Sequence, residues 1–269
     1  MKIIFNKNKL KKIIQNEKNL GFIPTMGAIH KAHISMVKKC HKICNKSIMS
    51  IFINKPQFNK VSDFRKYPRI LKKDIQLLKK NSVDYLYLPS AKQIYPNGPS
   101  KNIKISKLSK KLCGKFRPGH FEAVVDVIDR FLKIIQPSNI FLGEKDMQQL
   151  KVIEDYILKN YIKTKVVSCK TIRENNGVAC SSRNALLSPN GKKIASKIYK
   201  YISLNKKNLL TKKIFLNQAK NKLLKFGANK IDYIEILNIN KLAPPRKKKE
   251  KLKIFIAYYI NSIRIIDNI

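Results

Sequence analysis

The sequence predicts a doubly wound α/β sheet with helices on both faces, followed by a smaller C-terminal α+β lid domain. Three observations lead there. Short apolar runs alternate with helix-spaced apolar patterns over the first two-thirds of the chain. One run, Ile48-Met49-Ser50-Ile51-Phe52-Ile53, is nearly continuous in apolar residues, as a parallel strand covered on both faces requires. After about residue 176 the alternation gives way to helical stretches and then to closely spaced strands.

In order, strands are predicted at Lys2–Phe5, Leu20–Pro24, Ser47–Ile53, Val83–Leu88, Asn139–Leu142 and Lys165–Cys169. Val124, Val125, Ile128, Phe131, Leu132 and Ile135 recur at helical spacing and form one apolar stripe, with Pro137 as its stop. Beyond residue 176, helices are expected at Pro189–Asn205 and Thr211–Phe226, and strands at Asp232–Leu237, Lys253–Ile260 and Ser262–Ile266. The basic run Lys247–Lys251 reads as an exposed hairpin loop. The expected domains are therefore 1–175 and 176–269.

A chain of 269 residues with 43% apolar content can bury one large core or two small ones. The N-terminal segment Met1–Lys7 lacks an extended apolar region, so no secretory signal is expected. No apolar stretch reaches the roughly 18 residues that a membrane span needs. Five scattered cysteines (40, 44, 113, 169 and 180) fit a reducing, cytoplasmic compartment better than a disulfide framework. Cys40, His41 and Cys44 could be imagined as metal ligands, but no second ligand pair follows. The two cysteines fit the apolar side of a helix.

The formal charge of +42 raises the question of a polyanionic partner. Only eight of the 58 basic residues are arginine, the residue favoured for bidentate readout of bases and phosphates. The lysines run through every segment together with Ile and Asn, which is the pattern of compositional drift. No specific nucleic acid is expected; sequence-blind affinity for polyanions follows from charge alone.

Chemistry enters at Leu20–His33. There a strand runs into a loop containing Gly27, and His30 and His33 flank the start of a helix. Imidazoles three residues apart can share a helix face and point at phosphates bound to the helix N-terminus. Paired histidines are as often structural, but a strand-to-helix switch is where open sheets bind ligands.

The segment Pro24-Thr25-Met26-Gly27-Ala28-Ile29-His30-Lys31-Ala32-His33 resembles the Pro-Thr-Met-Gly-x-Leu-His-x-Gly-His block of the pantothenate synthetase family, within the Rossmann-like nucleotidylyltransferases. Further blocks are similar to that family in the same order. They are Ser50–Phe58, Arg117–Phe121, Phe141–Leu150, Arg173–Asn184 and the C-terminal Arg264–Asn268. The His-x-x-His element is shared with other nucleotidylyltransferases. The Gln-Phe and Gly-Glu-Lys-Asp-x-Gln-Gln elements are more specific.

The resemblance implies an ATP-dependent ligase that joins pantoate to β-alanine through a pantoyl-adenylate. It assigns ATP binding to Met26, Gly27, Ala28, Ile29, His30, Lys31, Ala32 and His33. Gly143, Glu144, Lys145 and Asp146 would join them, with Ile172, Cys180, Ser181, Ser182 and Arg183 completing the site. His33 would be the proton donor, and Lys145 and Arg183 would supply fixed positive charge. Gln57 and Gln149 would bind pantoate. The resemblance also implies a homodimer; Mg²⁺ is expected with ATP, with no protein ligand assigned to it and Asp74 only a candidate. Gln148 and Gln149, about 100° apart on a helix, cannot both face the substrate. The chain departs from the family pattern at Ala32 (usually Gly), Cys180 (usually Met), Pro56 (one place late) and Glu122-Ala123. Two alternatives stay open at this point: a nucleotidylyltransferase with another acceptor, and a basic nucleic-acid-binding protein on an enzyme scaffold.

Overall fold

The computed structural model describes residues 1–269 apart from 101, 162, 212 and 246–249. The chain opens with β1 (Lys2–Ile4), α1 (Lys7–Ile14), β2 (Leu20–Thr25) and α2 (Lys31–His41). Next come β3 (Lys46–Ile51), α3 (Val61–Lys66), α4 (Leu71–Lys80), β4 (Tyr85–Tyr87) and α5 (Ala91–Ile94). The short α6 (Leu112–Phe116) leads into α7 (His120–Ile135), β5 (Asn139–Gly143), α8 (Met147–Asn160) and β6 (Lys165–Cys169). The remainder is α9 (Pro189–Leu204), α10 (Lys206–Leu210), α11 (Leu216–Lys225), β7 (Lys230–Asn238), β8 (Leu252–Ile260) and β9 (Ile263–Asn268).

The first six strands form one sheet in the order β1-β4-β3-β2-β5-β6, every pairing parallel. All six were predicted, with ends shifted by a residue or two. The sheet grows outward from β2 in both directions, through β3 on one side and through β5 on the other. Strand order therefore reverses between β2 and β5. Their ladder contains only Gly21–Asn139 and Phe22–Ile140, whereas β2 pairs with β3 along its whole length. Beyond Phe22 the two strands part, and a crevice opens at their carboxyl ends. That is the place where open α/β sheets bind ligands.

Central strands buried on both faces explain the near-continuous apolar runs. Phe22, Ile23, Ile48, Met49 and Leu86 are fully buried. One face is covered by α7, whose Phe131 packs on Phe22 with ring centroids 5.5 Å apart. This helix ends as predicted just before Pro137, with Gln136 in a left-handed conformation (φ 50°) as its cap. The other face is covered by α2 and α4 through Val37 and Leu78. There α2 lies very close to the sheet: a Cβ on Gly21 would collide with Cys40 Sγ and sit 2.9 Å from Cys44 Sγ. Contrary to the expectation for both cysteines, Cys44 lies beyond the helix, because α2 stops at His41. Both thiols fill the gap against Gly21, and the His41 Nε2 hydrogen-bonds Ser47 Oγ (3.1 Å).

The last three strands make a separate antiparallel sheet, β7-β8-β9, packed against α9 and α11 through Ile198, Ile202 and Leu223. The helix expected over Thr211–Phe226 is shorter. Thr211 Oγ1 donates to Lys207 O and closes α10, and α11 starts only after Phe215, whose N–H is accepted by Gln218 Oε1. Strands β7 and β8 pair antiparallel. Most of the basic run expected as their loop lies outside the described residues.

Candidate functional site

The crevice is built first from the loop after β2. Gly27 (φ 81°) and Ala28 (φ 51°) are successive left-handed residues, a conformation that costs alanine about 1–2 kcal/mol. Asp74 of α4 holds them there. Its Oδ2 accepts from the Ala28 N–H (2.9 Å) and its Oδ1 from the Ile29 N–H (2.7 Å). Asp74 is buried, and burial raises its carboxyl pKa while the two N–H groups act the other way. Asp74, the candidate metal ligand, thus uses both oxygens to anchor the loop. Asp74→Asn would set an amide donor against one of those two N–H groups. The expected loss is about 1.5–3 kcal/mol of stability, with weaker ATP binding. A thermal melt and ATP titration check this; unchanged values in both would remove the anchor role.

The same accounting narrows which backbone groups can meet phosphate. The N–H of Gly27 faces Thr25 Oγ1 (3.2 Å), and that of His30 donates to His33 Nδ1 (3.2 Å). With Ala28 and Ile29 also engaged, and the Ala32 N–H meeting the Cys180 thiol, the Lys31 end of the first turn of α2 is the part of the loop left for an anion.

The two imidazoles stack with centroids 3.9 Å apart. Both are held neutral. Burial, then the charge of Lys145, lowers the His30 pKa to about 4. Burial, then His30 and Lys145, carries His33 well below the usual range. Because His33 Nδ1 accepts the His30 N–H, the ring proton is on Nε2. His33 is thus a preset neutral donor.

Lys145 reaches these rings from the other side of the crevice. It lies in a 3₁₀ turn, Glu144–Asp146, directly after β5. Its ammonium is 3.6 Å from Asp146 Oδ1. The turn is gripped by Asn268 at the end of β9, whose Nδ2 donates to Glu144 O (2.7 Å) and Lys145 O (2.9 Å). The neighbouring Asp267 pairs with Arg173 (2.6 Å), so one pair of residues ties the turn to the segment leading into residues 177–183.

That segment closes over the loop. Ile172 O accepts the Cys180 N–H (2.9 Å), Ser181 Oγ accepts the Arg183 N–H, and Ser182 Oγ donates to Ala28 O (3.3 Å). The buried Cys180 thiol, pushed up by burial, lies beside Lys31 and the Ala32 N–H. Two of the family departures, Ala32 and Cys180, are therefore neighbours. Arg183 is held by Asp63 of α3 (2.9 Å) over the ring of Tyr67.

The glutamines separate as helix geometry requires. Gln148 is buried: Oε1 accepts from Cys113 N–H, and Nε2 donates to Leu108 O and Lys111 O, so it fastens α6 to α8. Gln149 lines a pocket with Lys145, Arg117 and Asn268. Gln57 follows Pro56 in a 3₁₀ turn after β3 and donates to Met26 Sδ (3.1 Å).

A family model described as pantoate-beta-alanine ligase matches residues 2–269. The chain belongs to that family. It is 41% identical over 277 residues to a pantothenate synthetase of Endomicrobium trichonymphae, a match covering 100% of this chain and 97% of that relative. The crystal structure of pantothenate synthetase from Thermus thermophilus is similar with a TM-score of 0.90 at 29% identity, covering 100% and 99% of the two chains. A pantoate-beta-alanine ligase from Francisella tularensis, complexed with beta-gamma ATP and β-alanine, gives 0.88 at 37% identity, covering 100% and 97%.

Against the family's blocks, sequence reasoning passed over four residues. Asn54, inside the quoted Ser50–Phe58 block, is buried and donates to Gln57 Oε1 (3.1 Å), fixing that amide. Asp63 restrains Arg183, Asn268 restrains Lys145, and Arg117 meets His120 and Gln57. Asn54, Arg117 and Asn268 each stand in a block that was recognised, so block membership was the available signal. Asp63 carried none.

Proposed function

We propose that the chain is an AMP-forming ligase that condenses (R)-pantoate with β-alanine to pantothenate, consuming ATP and releasing AMP and pyrophosphate. The observation that carries this reading is the convergence of a neutral His33 donor and the Lys145 cation across the β2–β5 crevice of a family member. A pantoate carboxylate oxygen attacks the α-phosphorus, and the bond to the β-phosphate breaks as pyrophosphate leaves. The His33 Nε2–H and the ammonium of Lys145 stabilise charge gathering on the phosphate oxygens. The first turn of α2 supplies further donors to the phosphates. Gly143–Asp146 and the Ile172, Cys180–Arg183 segment enclose the nucleotide, and Gln57 and Gln149 hold pantoate. In the second step the uncharged amine of β-alanine attacks the acyl carbon, the anhydride C–O bond breaks, and AMP departs.

Mg²⁺ enters with the substrate as MgATP. Among the described residues no group of three or more His, Cys, Asp or Glu side chains could hold a metal ion, and Asp74 is engaged elsewhere. A magnesium ion that keeps its waters and binds phosphate oxygens needs few protein ligands. We further read residues 1–175 as the catalytic domain and 176–269 as a lid, the molecule as a homodimer, and its compartment as the cytoplasm. The five cysteines are free, which suits a reducing compartment, and among the described residues no helix is long and apolar enough to cross a membrane.

Exchange of labelled pyrophosphate into ATP isolates the first step. It should require pantoate and Mg²⁺ and proceed without β-alanine. Equal exchange without pantoate, or exchange only with a different acid, sinks the substrate assignment.

A further inference from the structure

Four of the arginines in or near the crevice and the core have carboxylate partners: Arg130 with Asp126, Arg173 with Asp267, Arg183 with Asp63 and Arg264 with Asp232. Arg117 differs. It stands between α6 and α7, and its guanidinium donates only to neutral acceptors. Nε faces Asn59 Oδ1 (3.3 Å), Nη1 faces His120 Nε2 (2.9 Å) and Nη2 faces Gln57 O (3.1 Å). His120 is committed to accepting that bond. Its Nδ1 donates to Gln57 O (2.9 Å), and burial followed by the charge of Arg117 draws its pKa down to about 3. Among the described residues no carboxylate lies within ion-pair distance of Arg117. Three of its five N–H groups are used, so two remain.

Arg117 lines a pocket together with Lys145, Gln149 and Asn268, and with Asp146 and Asp267, which are paired to Lys145 and Arg173. A partly buried guanidinium without a counter-ion, beside neutral amides, is suited to bind a carboxylate in bidentate fashion. Burial, then the charge of Arg183, lowers the Arg117 pKa to about 10. Given the ligase reading above, two substrates carry a carboxylate. That of pantoate loses its charge on adenylation. That of β-alanine stays charged through both steps and through product release, and needs a lasting partner. We propose that Arg117 anchors the carboxylate of the amine substrate, with His120 and Asn59 as positioning residues that hold the guanidinium. Anchoring one end of a short amino acid fixes where its amine reaches, so Arg117 also selects for the two-carbon spacer.

The test compares β-alanine with 3-aminopropanamide, its neutral amide of equal length, as amine acceptors in pantoate- and ATP-dependent, AMP-releasing turnover by the full chain and by Arg117→Gln. The unsubstituted protein should prefer β-alanine by about 10²-fold or more in kcat/KM, the size of effect that loss of a hydrogen-bonded charge pair produces. In Arg117→Gln the preference should collapse to within about tenfold, through loss of β-alanine turnover and not through gain with the amide. Arg117→Lys, which keeps the charge, should retain part of the preference and guards against a variant that does not fold. An undiminished preference in Arg117→Gln overturns the proposal. So does a collapse of pantoate-dependent pyrophosphate exchange, through a raised KM for pantoate, with amine selectivity intact; the arginine then serves pantoate. Absence of exchange in the unsubstituted protein overturns the ligase reading itself, and this inference with it.

Discussion

His33→Ala is expected to slow pantoate-dependent pyrophosphate exchange by about 10²- to 10⁴-fold, the usual cost of losing one well-placed donor or general acid. The fold should survive, because the ring is secured by one backbone N–H and one stacking neighbour. The pH behaviour separates this donor from a titrating acid. With its pKa held well below the usual range by burial, His33 keeps its Nε2 proton as a neutral ring, so it should put no inflection in the exchange rate between pH 6 and 8. Stability has the opposite dependence. His30, His33 and His120 all have lowered folded-state values, about 4 for His30 and about 3 for His120. Below pH 6.5 the unfolded chain takes up protons that the folded chain refuses. Their contribution is complete above that value and is lost as pH falls toward 3, at up to about 1.4 kcal/mol per pH unit for each histidine. Exchange kinetics and melting curves across pH 4–8 read both effects. Near-full exchange activity in His33→Ala would show that the donor is elsewhere, and a rate inflection that vanishes with it would show that His33 titrates as an acid instead of acting as a preset neutral donor.

Arg173→Ala should destabilise the chain by about 3–5 kcal/mol, the range for removing one partner of a buried ion pair. Asp267 is 8% exposed, and Arg173 donates to both of its oxygens (2.6 and 3.1 Å) while stacking over Tyr199. Alanine leaves that carboxylate buried with the Asn268 N–H as its remaining partner. The double variant Arg173→Ala/Asp267→Asn should recover part of the loss, since an amide needs no counter-ion. ATP affinity should fall in the single variant as well, because Asp267 and Asn268 connect the Lys145 turn to the segment over the nucleotide loop. Urea unfolding of the two variants decides it. A loss under about 1 kcal/mol, or no recovery in the double variant, refutes this account of the pair.

The fold was legible because it rests on local pattern. Continuous apolar runs such as Ile48–Ile53 report strands covered on both faces, and the Val124–Ile135 stripe with Pro137 behind it reports α7 and its end. The histidine loop could be read for the same reason: strand, glycine and helix start are adjacent in the chain. What could not be read joins distant segments. Asp74 reaches back 46 residues to Ala28, and Asn268 reaches back 123 to Lys145. An isolated aspartate in a helix looks the same whether it binds a metal, a solvent cation or a loop. Composition also hid Arg117: in a chain of charge +42, a cation without a partner is unremarkable until its surroundings are known.

The parting of β2 and β5 has a kinetic consequence. Two rungs, Gly21–Asn139 and Phe22–Ile140, are the ladder that joins the halves of the sheet, and each closes a loop of more than a hundred residues. Such contacts gain nothing until a large part of the chain is already ordered, and they place the step that brings Lys145 to the histidines late in folding. During synthesis the His30–His33 loop can form on β2 and β3 well before β5 exists. The nascent chain therefore carries the histidine loop without Lys145 for as long as it takes to make another hundred residues. Only when the central sheet zips from both sides does it acquire the means to activate a carboxylate.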